Sequence, residues 1–205
     1  MAQPKLYGPS YSTYTRTARM ALEEKGVGYA TEEIDIMKPR PAGYTALQPW
    51  GKVPAFEHDG FKIYETGAIT RYIDETFGGA KLQPADAKKR ARMNQIMGIM
   101  DNYAYPSMVG AIAIQRLFVP KADEGVIANA LPNAETSLDA LEGLIGDSPF
   151  LAGEDCSLAD LMAVPIFDYF AKTPEGKAAI AKRPKVAAWW ERIQKRPSVA
   201  KTKFG

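Results

Sequence analysis

Gln48-Pro49-Trp50-Gly51-Lys52-Val53-Pro54-Ala55-Phe56, followed after a short hairpin by Tyr64-Glu65-Thr66-Gly67-Ala68-Ile69, is the stretch around which the chain is organised. Proline has no N–H to give to a ladder, so Val53-Pro54 marks the entrance of a strand rather than its middle. Ala55-Phe56-Glu57-His58 then meets Asp59-Gly60, the strongest short hairpin signal, and Phe61-Lys62-Ile63-Tyr64 returns. Two antiparallel strands are expected. Behind them Ile69, Tyr72, Ile73 and Phe77 fall at helical spacing, so Glu65-Thr66 brings a hydroxyl and unpaired N–H groups to a helix N-terminus. Such an end attracts a carboxylate. From the residues alone Pro54 is expected to be trans, because only about 5–6% of X–Pro bonds are cis. A cis bond would instead turn the Val53 backbone outward, toward an extended peptide ligand.

Upstream, Lys5-Leu6-Tyr7 is a short strand closed by Gly8-Pro9. Ser10-Tyr11-Ser12-Thr13 offers caps to a helix carrying Ala18, Met20, Ala21 and Leu22 and stopping at Gly26. Val27 to Ile36 alternates loosely as a second strand, which makes a βαβ unit with a right-handed crossover. The stretch Pro39-Arg40-Pro41 is a loop, and a βαβ-ββα module is complete by Phe77. Residues 79–85 have the composition of a linker between a domain over 1–78 and an all-helical domain over 86–205. In the latter, Asp86 caps a run with Met93, Ile96, Met97, Met100, Ala104 and Met108 on one face, kinked at Pro106. A second run spans Val126 to Ile145. Ser157-Leu158-Ala159-Asp160 has the form of a capping box, with Cys156 and Leu161 as its hydrophobic staple. Short helices follow Thr173-Pro174 and Arg183-Pro184, and Pro197 is expected to end the last.

The 205 residues are 46% apolar and 24% charged, an ordinary balance for a globular protein, and no apolar run approaches a membrane span. Met1-Ala2-Gln3-Pro4-Lys5 lacks the apolar region of a signal peptide. One cysteine, Cys156, excludes an internal disulfide and points to a reducing compartment, so a cytoplasmic location is expected. The net charge of +2 divides into 10 basic against 10 acidic residues up to Pro84 and 16 against 14 beyond it. That balance gives no electrostatic reason for a nucleic-acid or membrane partner. Only the tail is locally basic, with Lys182, Arg183, Lys185, Arg192, Lys195, Arg196, Lys201 and Lys203 against Glu191, and a solvated helix face accounts for it. No metal site is expected.

A βαβ-ββα module joined to an all-helical domain, with Val53-Pro54 before the third strand and Glu65-Thr66 after the fourth, resembles a cytosolic glutathione transferase. The likeness covers nearly the whole chain and rests most on Gln48 to Pro54, Glu65-Thr66 and Gly153 to Asp160. It is to the serine-type, phi- or theta-like members, of a bacterial kind. The resemblance implies a thioredoxin-like first domain, a cis Pro54, and Val53 pairing its backbone with the cysteinyl part of glutathione. It further implies Glu65 and Thr66 at the γ-glutamyl end, glutathione as co-substrate, a detoxifying conjugation reaction and a homodimer. Asp101 on the long helix would then reach the γ-glutamyl amine of the second subunit. For the group that activates the thiol, alignment of the first helix through Arg16 points to Ser12, with Tyr7 and Tyr11 as alternatives; without the resemblance, Ser12 is a helix cap and Tyr7 a core residue. Two departures stand out: Pro39-Arg40 occupies the place of a His-Lys pair, and Gln48 that of an asparagine. Arg40 or Lys52 is left to hold the glycyl carboxylate. For the electrophile the candidates are Tyr11, Tyr105, Met108, Ile112 and Gln115, the last four placed by helix period alone. Reduction, isomerisation, dehalogenation and ligand binding without turnover are the alternatives to conjugation.

The chemistry sets a modest demand. A cysteine-like thiol has a pKa of ~8.5, and lowering it by ~2 units takes about 2.7 kcal/mol of preference for the thiolate. One hydrogen bond to a charged group contributes roughly 1.5–3 kcal/mol. A single Ser12 hydroxyl at the positive end of its helix is therefore sufficient. The serine donates and need not act as a base. His58, beside the Asp59-Gly60 turn, is expected at the surface, which leaves no Ser-His-Asp arrangement.

Overall fold

The computed structural model describes residues 3–203. The chain divides into two compact units, one running to Leu82 and joined by the tail from Arg196, the other covering Gln83–Lys195.

The first unit is built on a four-stranded sheet in the order β2-β1-β3-β4. Strand β1 (Lys5–Tyr7) pairs in parallel with β2 (Ala30–Glu32) and antiparallel with β3 (Ala55–His58), which forms the expected hairpin with β4 (Phe61–Tyr64). Asp59 and Gly60 both take positive φ, at 49° and 79°, the turn geometry that suits a two-residue hairpin. Leu6 and Phe56 face each other across the ladder and are fully buried, together with Ala18, Ala21 and Leu22 of α1 (Thr13–Glu24) and Ile69 and Ile73 of α3 (Thr66–Thr76). Helices α1 and α3 pack against one another. Strand β2 is shorter than the expected Val27 to Ile36: it pairs residue for residue with the three residues of β1, after which the Met37 N–H bonds to the Asp35 carboxylate in a turn. A short helix α2 (Tyr44–Leu47), not expected from the sequence, follows the Pro39-Arg40-Pro41 loop, with Tyr44 buried.

His58 is a second correction, since it is buried rather than at the surface; its Nδ1 lies 3.0 Å from the Tyr72 hydroxyl and its ring packs on Phe77. A buried ion pair closes the unit. Lys25 Nζ donates to an Asp74 carboxylate oxygen at 3.0 Å and to the Ala80 carbonyl at 2.8 Å, while the same Asp74 oxygen takes the Leu82 N–H.

The second unit is helical: α4 (Ala87–Ile99), a π-helical segment (Met100–Ala113), α5 (Ile114–Leu117), α6 (Glu124–Ile145), α7 (Leu158–Phe170), α8 (Pro174–Ala181) and α9 (Pro184–Ile193). Around Pro106 the helix widens to π winding, with i→i+5 bonding, and Met100, Ala104, Met108 and Ile112, four residues apart, share one buried face. Helix α7 is mostly apolar and buried over most of its length, which makes it the central helix of this unit. Its capping box is complete: the Ser157 N–H and hydroxyl both donate to Asp160 at 2.8 Å, and the other Asp160 oxygen accepts from Leu151 N–H and Trp189 Nε1. Burial pushes the Asp160 carboxyl up, while four donors hold it as an acceptor.

The expected helical domain over 86–205 ends early, because the tail belongs with the first unit. Pro197 opens a helix, α10 (Pro197–Thr202), rather than ending one; a proline suits the first helical turn, whose N–H has no partner in any case. Helix α10 packs on α1, with Arg196 and Ser198 donating to Glu24, and buried Arg16 donating to the Val199 carbonyl and the Thr202 hydroxyl. The basic tail is largely paired: Lys182, Arg183, Lys185, Arg196 and Lys201 each meet a carboxylate.

Candidate active site

The register of the first unit brings the sequence signals to one edge of its sheet. Ala55 pairs with Tyr7 on one side and with Tyr64 on the other, so the exit of β1, the entrance of β3 and the exit of β4 lie side by side. The residues just beyond that row are the Gly8 to Ser12 loop, Val53-Pro54 and Glu65-Thr66. The N-termini of α1 and α3 therefore open at the same edge, each with the positive end of its helix dipole.

The Val53-Pro54 bond is cis, against the reading from the residues alone. Among the described residues, no hydrogen bond within the chain engages the Val53 N–H or carbonyl. Glu65, exposed at the N-cap of α3, has φ 69° and ψ 115°, a backbone conformation uncommon for a side chain with a Cβ. Its neighbour Thr66 is buried, and its carbonyl accepts from the Thr70 hydroxyl.

Ser12 is the N-cap of α1 in extended geometry, with its Oγ accepting from the Thr15 N–H at 3.3 Å. That bond uses the oxygen's lone pair and leaves the hydroxyl hydrogen to donate. Tyr7 is placed differently. Its hydroxyl donates to Glu57 at 3.0 Å and its ring lies under Lys5. Burial, and then the bond to Glu57, raises the phenol above its ordinary value, so Tyr7 has its hydrogen committed to a carboxylate. Tyr11 is half-buried, one residue before the cap.

Arg40 and Lys52 flank Val53 by way of a loop that is tied down from within. Arg40 donates through Nε to the Gly51 carbonyl and through Nη1 to the carbonyls of Asp35 (3.0 Å) and Lys38 (2.8 Å). Lys52 is exposed, but its backbone is held at both ends: its N–H donates to Gln48 Oε1 at 3.1 Å, and its carbonyl accepts from the Tyr44 hydroxyl at 2.7 Å. Burial pushes the Tyr44 phenol up to about 12, which keeps it a hydrogen donor. Gln48 and Tyr44 are the residues that sequence reasoning missed. Gln48 stood out only as a departure from asparagine, and α2 is too short for any periodicity to announce Tyr44.

In the helical unit, Met108 and Ile112 are fully buried, so they pack the core and present no surface to a ligand. Tyr105 is half-buried, Asp101 is exposed, and Gln115 is half-buried with its side-chain oxygen accepting from the Asp123 N–H at 2.9 Å. Cys156 is buried just before α7.

Two family models match the chain, glutathione S-transferase N-terminal domain over residues 6–81 and glutathione S-transferase C-terminal domain over 79–197. Glutathione S-transferase F10 of Arabidopsis thaliana is 34% identical over 200 residues, covering 93% of this chain and 92% of its own. The crystal structure of glutathione transferase F2 from Populus trichocarpa superposes with a TM-score of 0.88 at 31% identity, over 97% of this chain and 96% of that one. Glutathione S-transferase I from maize, in complex with an atrazine glutathione conjugate, gives 0.86 at 27% identity, over 98% and 96%. By its domain matches, its relatives and its fold, the chain belongs to the glutathione S-transferase family.

Proposed function

We propose that this transferase is a serine-type, phi- or theta-like member in which Ser12 activates the thiol of glutathione for attack on a hydrophobic electrophile. The observation that carries the reading is the Ser12 hydroxyl: it caps α1 as an acceptor, keeps its hydrogen to donate, and stands at the helix's positive end. The Tyr7 phenol, spent on Glu57, offers no such donor. The Val53 backbone pair, unclaimed within the described chain, suits the cysteinyl part of the tripeptide, and Glu65 and Thr66 its γ-glutamyl end. Lys52 suits the glycyl carboxylate as a point charge. Arg40 acts first on the loop, through three carbonyls, and on the ligand through what remains of its fork.

Tyr11 and Tyr105, each with exposed surface, are our candidates for contact with the electrophile. A hydrophobic electrophile fits the atrazine conjugate held by the maize relative. A homodimer, with Asp101 reaching the partner's glutathione, and a cytoplasmic detoxifying role complete the proposal. Chemistry through a protein cysteine does not fit, since Cys156 is buried in the helical unit.

The test is the pH dependence of conjugation with 1-chloro-2,4-dinitrobenzene. Wild-type rates are expected to rise with an apparent pKa well below the ~8.5 of a free thiol. Ser12→Ala moves that value toward the free thiol and slows the reaction roughly 10- to 150-fold below neutral pH, the worth of one hydrogen bond to a charged group. An unmoved profile removes Ser12 from the role. Release of glutathione disulfide instead of conjugate would reassign the reaction as a reduction.

A further inference from the structure

Gly51-Lys52-Val53 contains two peptide units whose ends are engaged unequally. In the Gly51–Lys52 unit both ends are held: the Gly51 carbonyl accepts from Arg40 Nε, and the Lys52 N–H donates to Gln48 Oε1 at 3.1 Å. In the Lys52–Val53 unit only one end is held. The Tyr44 hydroxyl donates to the Lys52 carbonyl at 2.7 Å, while the Val53 N–H is unclaimed among the described residues. Tyr44 and Gln48 are both buried, and Val53 keeps exposed surface, so the loop is fastened on its inner side.

A peptide unit is rigid and planar, and in the trans form, taken here by Lys52–Val53, its carbonyl and its N–H point in opposite directions. Fixing the Lys52 oxygen on Tyr44 therefore aims the Val53 N–H away from Tyr44. Among the described residues, no other hydrogen bond sets the tilt of that unit. The unit before it is held by Gln48, whose carbonyl also takes the Gly51 N–H at 2.9 Å, with Gly51 at φ 62° making the turn between them. Burial pushes the Tyr44 phenol up to about 12, so its hydroxyl keeps its hydrogen through neutral pH. A donor on the carbonyl also polarises the unit, which strengthens the N–H at the other end.

We propose that Tyr44 is a positioning residue for glutathione: through the Lys52 carbonyl, its hydroxyl sets the direction of the Val53 N–H before the tripeptide arrives, and Gln48 holds the preceding unit. This rests on the assignment of the Val53 backbone to the cysteinyl part of glutathione. A donor fixed in advance spares binding the cost of ordering the loop. The effect therefore belongs to glutathione affinity and not to activation of the thiol.

The experiment compares wild type, Tyr44→Phe and Gln48→Met by calorimetric titration with S-hexylglutathione, by steady-state conjugation, and by hydrogen exchange of the Val53 amide followed by NMR. In wild type, S-hexylglutathione is expected to slow exchange at Val53; binding without that protection would remove the Val53 assignment and the proposal with it. Tyr44→Phe, which keeps the buried ring, is expected to raise the Kd for S-hexylglutathione and the KM for glutathione roughly 2- to 13-fold, the worth of one hydrogen bond. Its kcat at saturating glutathione and the pH midpoint of kcat should stay where they are. Gln48→Met frees the Lys52 N–H without touching Tyr44, raises the same two constants, and guards against a folding fault particular to Tyr44→Phe. Protection of Val53 in wild type together with wild-type affinity in both variants would leave the Val53 assignment standing and overturn the role of Tyr44. A lower kcat with a shifted pH midpoint and an unchanged KM would overturn it too, by placing Tyr44 in thiol activation beside Ser12.

Discussion

At the scale of single residues, the candidate site was legible wherever its chemistry is local. A Val-Pro at a strand entrance and an acidic residue before a helix leave signatures in their own neighbours, which is why Val53-Pro54 and Glu65-Thr66 stood out; Ser12 was one of several possible caps until the resemblance, aligned through Arg16, pointed to it. Glu65 carries a further cost that no pattern announces. Its φ of 69° places a side chain in a region that only glycine enters freely, at about 1–3 kcal/mol. Glycine would relieve that strain but lose roughly 0.5–1 kcal/mol through the greater freedom of the unfolded chain. Glu65→Gly is therefore expected to be as stable as wild type or up to ~2 kcal/mol more stable in urea, while its KM for glutathione rises because the carboxylate is gone. Glu65→Ala, which keeps the strain, should show the same KM without the gain. Equal losses of stability in both variants would mean that the conformation is not strained.

At the scale of elements, what was not legible has a common cause: partners distant in sequence. Pro197 reads equally as a helix stop and as a first helical residue, and only the docking of α10 on α1 decides between them. Glu24 likewise looks like a surface charge until Arg196 and Ser198 close on it. The π winding around Pro106 has no compositional mark, while the buried face that Met108 shares with Met93, Ile96, Met97, Met100 and Ala104 was written in the helix period. The α10 contact carries a pH signature. Burial opposes the charge on Glu24, yet the hydrogen bonds from Arg196 and Ser198 prevail and hold its carboxyl below the ordinary 4.5. A carboxyl lowered on folding adds stability above its unfolded pKa, and the contribution is lost as pH falls through the folded value. The difference in urea midpoint between wild type and Glu24→Gln is thus expected to be largest near about pH 6 and to shrink toward about pH 3. A constant difference would show that the pairing does not titrate with this group.

At the scale of the whole chain, the path is discontinuous: the helical unit occupies residues 83 to 195, and the first unit is completed only when the tail returns. The βαβ-ββα order and the all-helical second half were both legible, because strand and helix periods, the hairpin turn and the linker are written locally. The return of the tail was not, since the basic run that forms it resembles a solvated surface. Its consequence is specific. Helix α10 buries Ser198, Val199 and Thr202 and supplies partners to Arg16 and Glu24, all within the first unit. A chain ending at Lys195 would take the Val199 and Thr202 acceptors away from the Arg16 guanidinium, which is 4% exposed, and each hydrogen bond lost from a charged group costs roughly 1.5–3 kcal/mol. The loss should fall on one unit only. The three tryptophans report the difference, because Trp50 lies in the first unit and Trp189 and Trp190 lie in the second, with Trp189 fully buried in its core. In the shortened chain, with Trp50 replaced by phenylalanine, urea unfolding followed by Trp189 and Trp190 should keep its midpoint, whereas glutathione affinity drops with the loosening of α1 and its Ser12 cap. If the Trp189 and Trp190 transition moves as far as glutathione binding does, the tail stabilises both units alike and its assignment to the first is wrong.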